Sequence, residues 1–570
     1  MEGSRPASAP LKVVLFWHMH QPQYRDCQSG EYHQPWVYLH VLKDYVDMAA
    51  HLEAHPKAHA VVNFAPVLLE QIDDYAAMLR DWFDHGARLR DPLLRGLFEV
   101  PPVSDVEGRR WLLSACLRAN QHRLIDRFPA FSELAAVARN ALETPVALRY
   151  LDDRFFFDLC VWYHLAWTGE TVRMKDARIK SLMSREREYA EDDRRLLLEV
   201  MLELHEGLVG RYRALAESGR VELAMSPWGH PIVPLMLDLE SAREALPEIE
   251  LPQLPHYPGG EEAARWHIEQ GIASFERSFG FKPTGCWPSE GAVSEATARL
   301  LGEYPFTWLA SGETVLRNSL AASEVDAGGC LHRPWTAPDS DILCFFRDDG
   351  LSDLIGFTYS NWHAEDAVGN MIHHLENIAQ ACTDQPGRVV SIILDGENAW
   401  EYYPNNGWYF LNTLYKRLSE HPTIELTTFS KAARSNPGPG HLTRMVGGSW
   451  VYGTYSTWIG DPDKNRGWDY LGDAKTAFDR VAASERLDEE ALEKARLQLA
   501  ICEGSDWFWW FGDYNPAESV SDFERLYRSH LSCLYQLLGE PAPSYLTEAI
   551  SHGGGDVVET GGVMRRGKQG

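Results

Sequence analysis

The stretch Leu11-Lys-Val-Val-Leu-Phe-Trp-His-Met-His-Gln-Pro22 is an apolar run that ends abruptly in two histidines, a glutamine and a proline. Residues 11–17 are too few for a buried helix and rich in β-branched side chains, so they predict a strand buried on both faces. The same figure recurs along the chain. Short apolar runs at 220–225 (Arg-Val-Glu-Leu-Ala-Met), 341–346 (Asp-Ile-Leu-Cys-Phe-Phe) and 388–394 (Arg-Val-Val-Ser-Ile-Ile-Leu) each lead into a polar cluster. Between them, 260–279 (GEEAARWHIEQGIASFERSF) has helical spacing and stops at Gly280. Strand, polar tip, helix, strand is the rhythm of a parallel α/β barrel, whose reactive side chains gather at the strands' C-terminal ends.

The other segments arrange themselves around that barrel. Residues 39–54 and 66–92 have helical spacing, and 93–220 is helix-rich and charged, as expected of an insertion between barrel strands. Within it, 192–218 opens on acids and keeps leucines at helical intervals. Gly438, Pro439 and Gly440 extend a breaker-rich linker begun by Pro437. Helices are predicted beyond it at 472–502 and 519–538. The expected organisation is a disordered leader at 1–10, a catalytic α/β barrel at 11–435, a helical domain at 441–550 and a flexible tail at 551–570.

Composition narrows the function. Lys and Arg total 54 against 82 Asp and Glu, a formal net charge of −28. That argues against nucleic acid or an anionic membrane as partner, since both call for basic patches. No run of eighteen apolar residues and no signal-peptide pattern occur in the sequence. The nine cysteines are scattered and contain no CxxC pair, which suits reduced thiols in a cytoplasm.

Five clusters could carry chemistry. His18-Met19-His20-Gln21-Pro22 puts two histidines on one side of an extended segment, able to hold a metal or bind hydroxyls. Pro227-Trp228-Gly229-His230-Pro231 offers an indole platform for a sugar face beside a histidine. Gly285-Cys286-Trp287-Pro288-Ser289-Glu290-Gly291 places a carboxylate among apolar and small residues, though an acid starting the next helix reads equally well. Phe346-Arg347-Asp348-Asp349-Gly350-Leu351-Ser352-Asp353 crowds three acids, and repulsion raises the proton affinity of at least one. Leu394-Asp395-Gly396-Glu397-Asn398-Ala399-Trp400 combines acids, an amide and an aromatic. Two carboxylates, orienting polar groups and stacking aromatics form the inventory of a glycosidase site.

With these motifs in order, HMHQP, WGHPI, GCWPSEGAVSE, FFRDDGLSDLIGF and LDGENAWEYYP, the sequence resembles glycoside hydrolase family 57. That family comprises α-amylases, amylopullulanases, branching enzymes and 4-α-glucanotransferases. The resemblance implies a distorted (β/α)7 barrel followed by a helical domain, and retaining chemistry without cofactor or catalytic metal. It puts the nucleophile at Glu290 and the acid/base at Asp348, with Asp349 as the neighbouring alternative. His18, His20 and His230 correspond to positions lining the glycone subsite, Asp395 stands near the nucleophile, and Trp287 packs beside the reactive sugar. Gln21, Trp228, Asp353, Glu397 and Trp400 complete the expected substrate-binding set. Residues 504–513 and 457–471 look like the amylase and amylopullulanase branch, and Gly356-Phe357 departs from the Gly-Trp of branching enzymes.

The expected activity is cleavage of α-1,4, and by extension α-1,6, bonds of glycogen, starch or maltooligosaccharides. The same site could instead serve a 4-α-glucanotransferase. Trp507, Trp509 and Trp510 could line acceptor subsites or belong to a core. A zinc-dependent enzyme using His18, His20 and an Asp, and a non-catalytic glucan-binding protein, are the competing readings. Oligomeric state stays open.

Overall fold

The computed structural model describes residues 9–326, 330–385, 387–436 and 438–555. Most of the expected leader and tail, and Pro437 of the linker, lie outside the described residues.

Ten strands occur among the described residues, in chain order β1 (Leu11–Met19), β2 (Ala60–Phe64), β3 (Val221–Met225), β4 (Gly285–Cys286), β5 (Trp308–Ser311), β6 (Trp335–Thr336), β7 (Leu343–Phe346), β8 (Val389–Asp395), β9 (Ile424–Leu426) and β10 (Gly440–His441). They form one sheet in the order β10-β6-β7-β5-β4-β3-β2-β1-β8, with β9 beside the start of β1. From β7 through β1 to β8, all neighbours are parallel. The curl closes where Arg347 bridges Ser391 and the Asp348 amide donates to the Ser391 carbonyl at 2.7 Å. These seven strands are a distorted (β/α)7 barrel; β6 and β10 extend its edge.

The strands are buried on both faces because the barrel is filled inside and sheathed outside. Val14, Phe16, Val61, Ala224, Trp287, Trp308, Ala310, Phe345 and Ile393 make the inner core, plugged by Phe429 and Ala432. Val13, Leu15 and Trp17 belong to the outer core with the helices. Side chains two apart on a strand share a face, so this inner set fixes which residues reach the barrel's mouth.

Helices from Pro66–His85 to Glu191–Glu217 fill the long connection from β2 to β3. The expected helix 66–92 stops at His85, because Gly86 turns left-handed at φ 68°. Helix Gly260–Phe279 ends as expected at Gly280. The expected helix 472–502 is two, Pro462–Ala483 and Glu489–Cys502. Helices Ser505–Trp510 and Ala517–Leu537 follow and reach back to the barrel's mouth. No helix among the described residues is long and apolar enough to cross a membrane. Four cysteines depart from the expected reduced state: Cys27 pairs with Cys533, and Cys330 with Cys382. Cys116, Cys160, Cys286, Cys344 and Cys502 are free and buried.

Candidate active site

A cavity of about 290 Å³ opens at the C-terminal ends of the barrel strands. Strand parity explains its walls. The inward series Val14, Phe16 on β1 continues to His18 and His20. Val61 on β2 leads to Asn63, Phe345 on β7 to Arg347, and Ile393 on β8 to Asp395. His18, His20, Arg347 and Asp395 all line the cavity, joined by Gln21, Glu290, Glu397 and Asn398. Trp450, Asp506, Trp509, Trp510 and Phe523 close over them from later in the chain.

Glu290 follows β4 in a left-handed conformation at φ 59° and ψ 22°, uncommon for a residue with a side chain and costly unless its surroundings enforce it. The enforcement comes from Trp450. Its backbone amide donates to the Glu290 carbonyl at 3.1 Å, and its indole Nε1 donates to Glu290 Oε2 at 2.9 Å. His230 Nδ1 stands 3.7 Å from Oε1. Burial, opposed by the Trp450 bond and reinforced by the charges of Asp395 and Asp506, pushes the Glu290 carboxyl up to about 8. Asp395 is also pushed up, chiefly by burial, while Asn398 Nδ2 donates to its Oδ2 at 2.9 Å.

Three histidines stack beside the acids. The rings of His20 and His230 lie 3.8 Å apart, and those of His18 and His230 5.1 Å apart. His18 Nδ1 donates to Asn63 Oδ1 at 2.6 Å, and Ser226 donates to the same oxygen. Burial and His20 lower His18 to about 3, and burial with both neighbours holds His230 well below the usual range, so both are neutral. His20 Nε2 bonds both carboxylate oxygens of Asp506, at 3.0 and 2.9 Å. His18 Nε2, His20 Nδ1 and Glu397 Oε2 are buried without a hydrogen-bond partner among the described residues. Glu397 Oε1 accepts from the His20 amide, Gln21 Nε2 and Tyr45 Oη, each at 3.2 Å. Unpaired polar atoms in the lining of a cavity are what a polyhydroxylated ligand satisfies.

The family model of glycosyl hydrolase family 57 matches residues 14–444, three quarters of the chain. The chain belongs to glycosyl hydrolase family 57. No curated protein matches it in sequence. Among solved structures it is similar to the α-amylase of Thermotoga maritima, at 13% identity and TM-score 0.58, covering 93% of each chain. It is similar to the branching enzyme of Thermococcus kodakaraensis, at 16% identity and TM-score 0.56, covering 92% of this chain and 90% of that one. The 4-α-glucanotransferase of Thermococcus litoralis matches at 13% identity and TM-score 0.51, covering 93% of this chain and 60% of that one. At such identities the likeness concerns the fold.

This family 57 chain brings Glu290, His18, His20, Gln21, Asp395 and Glu397 together in the cavity lining, while Asp348, Asp353, Trp228, Trp287, Trp400 and His230, which is buried behind His20, do not line it. Asp348 does not line the cavity. It follows Arg347, whose side chain takes the inward face, so its own turns outward. There it accepts from the Leu351 amide at 2.8 Å and pairs with His332 Nε2 at 2.9 Å. Burial pushes its carboxyl up, but the His332 bond and charge outweigh that and hold it below the usual range. Asp353 and Asp349 clamp the Arg347 guanidinium, each at 2.7 Å. Trp228 is buried against Trp266 and His267 rather than presented to a ligand. Trp400 is buried on Trp17, with Nε1 bonded to the Gly396 carbonyl. Trp287 lies at the inner core's upper edge against Phe16 and Trp450. Trp507 is core, packed on Tyr527 and His530, while Trp509 and Trp510 line the cavity.

His20, His230 and Asp506 have ligand atoms within 4.8 Å of one another. The two imidazoles are stacked at 20°, however, so their in-plane lone pairs run side by side instead of converging on one ion. The set suits sugar hydroxyls better than a metal.

Proposed function

We propose that this family 57 enzyme acts on α-glucans with retention, Glu290 serving as nucleophile and Asp395 as general acid/base. The observation that carries the reading is that these two carboxyls line one cavity and are both pushed toward protonation. The charge of Asp395 is among the causes that raise Glu290, so ionising one of these acids favours the proton on the other. The Trp450 indole favours the anion on Glu290, the form that attacks. Asp395 thus replaces Asp348 as the candidate proton donor, since Asp348 is engaged with His332 outside the cavity.

In the first step Glu290 attacks the anomeric carbon while Asp395 protonates the departing glycosidic oxygen. The bond to the leaving sugar breaks and a covalent glycosyl-enzyme forms. Asp395 then takes a proton from water or an acceptor hydroxyl, which displaces Glu290. His18, His20, Gln21 and Glu397 orient the glycone through its hydroxyls, with His230 stacked behind His20, and Trp509, Trp510 and Phe523 offer faces for neighbouring glucose units. The substrates are glycogen, starch or maltooligosaccharides, through α-1,4 and by extension α-1,6 bonds. We take 11–435 as the catalytic unit and 441–550 as a helical unit that supplies its roof.

One observation favours 4-α-glucanotransfer as a second reading: the roof is largely aromatic, and a drier acceptor side disfavours water as the second nucleophile. Incubation with maltoheptaose and analysis of the products tests both. Shorter sugars alone mean hydrolysis, and a ladder extending above the starting length means transfer. Binding without any product from this or other α-glucans sinks the enzymatic reading.

A further inference from the structure

Outside the barrel's mouth, Cys330, His332 and Cys382 meet beside the end of β7. Their ligand atoms all lie within 4.8 Å of one another, and both cysteines are buried. His332 Nδ1 stands 4.0 Å from Cys382 Sγ. Its other nitrogen, Nε2, faces Asp348 Oδ2 at 2.9 Å. A carboxylate there holds the proton on Nε2 and turns the Nδ1 lone pair toward the sulfurs. This is the carboxylate–histidine–metal arrangement in which an outer acid fixes the tautomer of a ligating imidazole. A disulfide between Cys330 and Cys382 needs neither the histidine nor the acid.

We propose that, with the Cys330–Cys382 bond reduced, Cys330, His332 and Cys382 bind one divalent cation of the zinc class, oriented by Asp348. Tetrahedral zinc with Zn–S near 2.3 Å and Zn–N near 2.0–2.1 Å sets its ligand atoms about 3.5–3.8 Å apart; His332 Nδ1 and Cys382 Sγ at 4.0 Å are already near that spacing, and the two sulfurs, bonded to each other here, separate to it on reduction. His332 is about one-fifth exposed, which leaves the fourth position to water. The disulfide and the ion exclude each other. A thiol reductant delivers two electrons and two protons to the sulfurs and is itself oxidised to a disulfide. The cation then binds the two thiolates and displaces both protons. The site gives Asp348 a role apart from the sugar chemistry, as a positioning residue for His332.

The test is titration of the reduced, full-length protein with Co²⁺, read as the thiolate-to-cobalt charge-transfer band, followed by displacement with Zn²⁺. One equivalent with that band is expected. Cys382→Ser and Cys330→Ser should each abolish it while circular dichroism stays native. Cys27→Ser, which removes only the other disulfide, should keep it. Asp348→Asn should weaken binding about 10–100-fold. No band in the reduced wild type, a band that survives in Cys382→Ser, or Cys330 and Cys382 resisting reduction in folded protein would each overturn the proposal. Cobalt bound at His20, His230 and Asp506 would give no thiolate band and counts against it.

Discussion

Trp450 holds Glu290 twice, at the backbone carbonyl and at Oε2, across 160 positions of sequence. A single loop residue thus fixes both the left-handed turn of the candidate nucleophile and the direction of its carboxylate. A hydrogen bond to a charged group is worth about 1.5–3 kcal/mol, and each 1.36 kcal/mol is about tenfold in rate. Trp450→Phe should therefore lower kcat about 10–100-fold while the protein stays folded. Steady-state kinetics beside thermal unfolding checks this. Full kcat in a folded Trp450→Phe would mean that the bond does nothing for the chemistry.

The raised affinity of Glu290 for its proton makes stability depend on pH. Its folded value of about 8 lies above the ordinary 4.5, so the folded state favours the protonated form. The stabilisation is complete below the ordinary value and is lost as pH rises through about 8. Glu290→Gln has no such dependence. It should resist denaturant better than the parent at about pH 9, by on the order of a few kcal/mol, and the gap should close near pH 4. Denaturant melts at three pH values measure it. A gap that widens in acid would contradict the assignment.

Asp506 contributes to holding the Glu290 proton and is itself bonded to His20. Removing its charge in Asp506→Asn lowers the affinity of Glu290 for its proton. The acid limb of kcat/KM, which reports ionisation of the nucleophile in the free enzyme, should move to lower pH. An unmoved limb in an active variant would show that another group governs it.

Two tryptophans separate scaffold from cleft. Trp400 is fully buried with its indole bonded to the Gly396 carbonyl, so Trp400→Ala should cost about 3–5 kcal/mol of stability. Trp509 lines the cavity, and an aromatic contact is worth about 0.5–1.5 kcal/mol. Trp509→Ala should raise KM for long maltooligosaccharides about 2–10-fold and shift the product lengths. Calorimetry and product profiles on both variants distinguish the roles.

The barrel was legible because β1, β3, β7 and β8 are long enough to show as apolar runs. β4 was not, since Gly285–Cys286 is too short to carry a pattern, nor was β5, which matches β7 in length but mixes an alanine and a serine into Trp308–Ser311. Glu290, His18, His20 and His230 were legible from residue type at strand ends. The face taken by Asp348 was not. In a strand buried on both sides no polar alternation marks the interior, so only the contacts of Phe345 reveal that Arg347 points inward and Asp348 outward. Crowded acids at 348–353 suggested a raised proton affinity, and Asp349 shows it: burial, with the charges of Glu313 and Asp353, pushes its carboxyl up to about 6 against the pull of Arg347, while His332 holds Asp348 down. Trp450 and Asp506 escaped notice because each comes from a region without periodic signal and meets the site only through the folded chain. Asp506 sits in the tryptophan-rich run 504–513, where an acid in the first turn of a short helix carries no signal of a site.

Glu290 is expected to work with Asp395 and not with Asp348. The direct measurement compares Asp395→Ala and Asp348→Ala on maltooligosaccharides and on α-maltosyl fluoride, whose leaving group needs no proton, with and without azide. Asp395→Ala should lose about 10²–10⁴-fold on the sugars. It should keep turnover on the fluoride and form the α-glycosyl azide, while Asp348→Ala stays active on the sugars. If Asp348→Ala shows the azide rescue and Asp395→Ala cleaves maltooligosaccharides normally, Asp348 and not Asp395 is the acid/base.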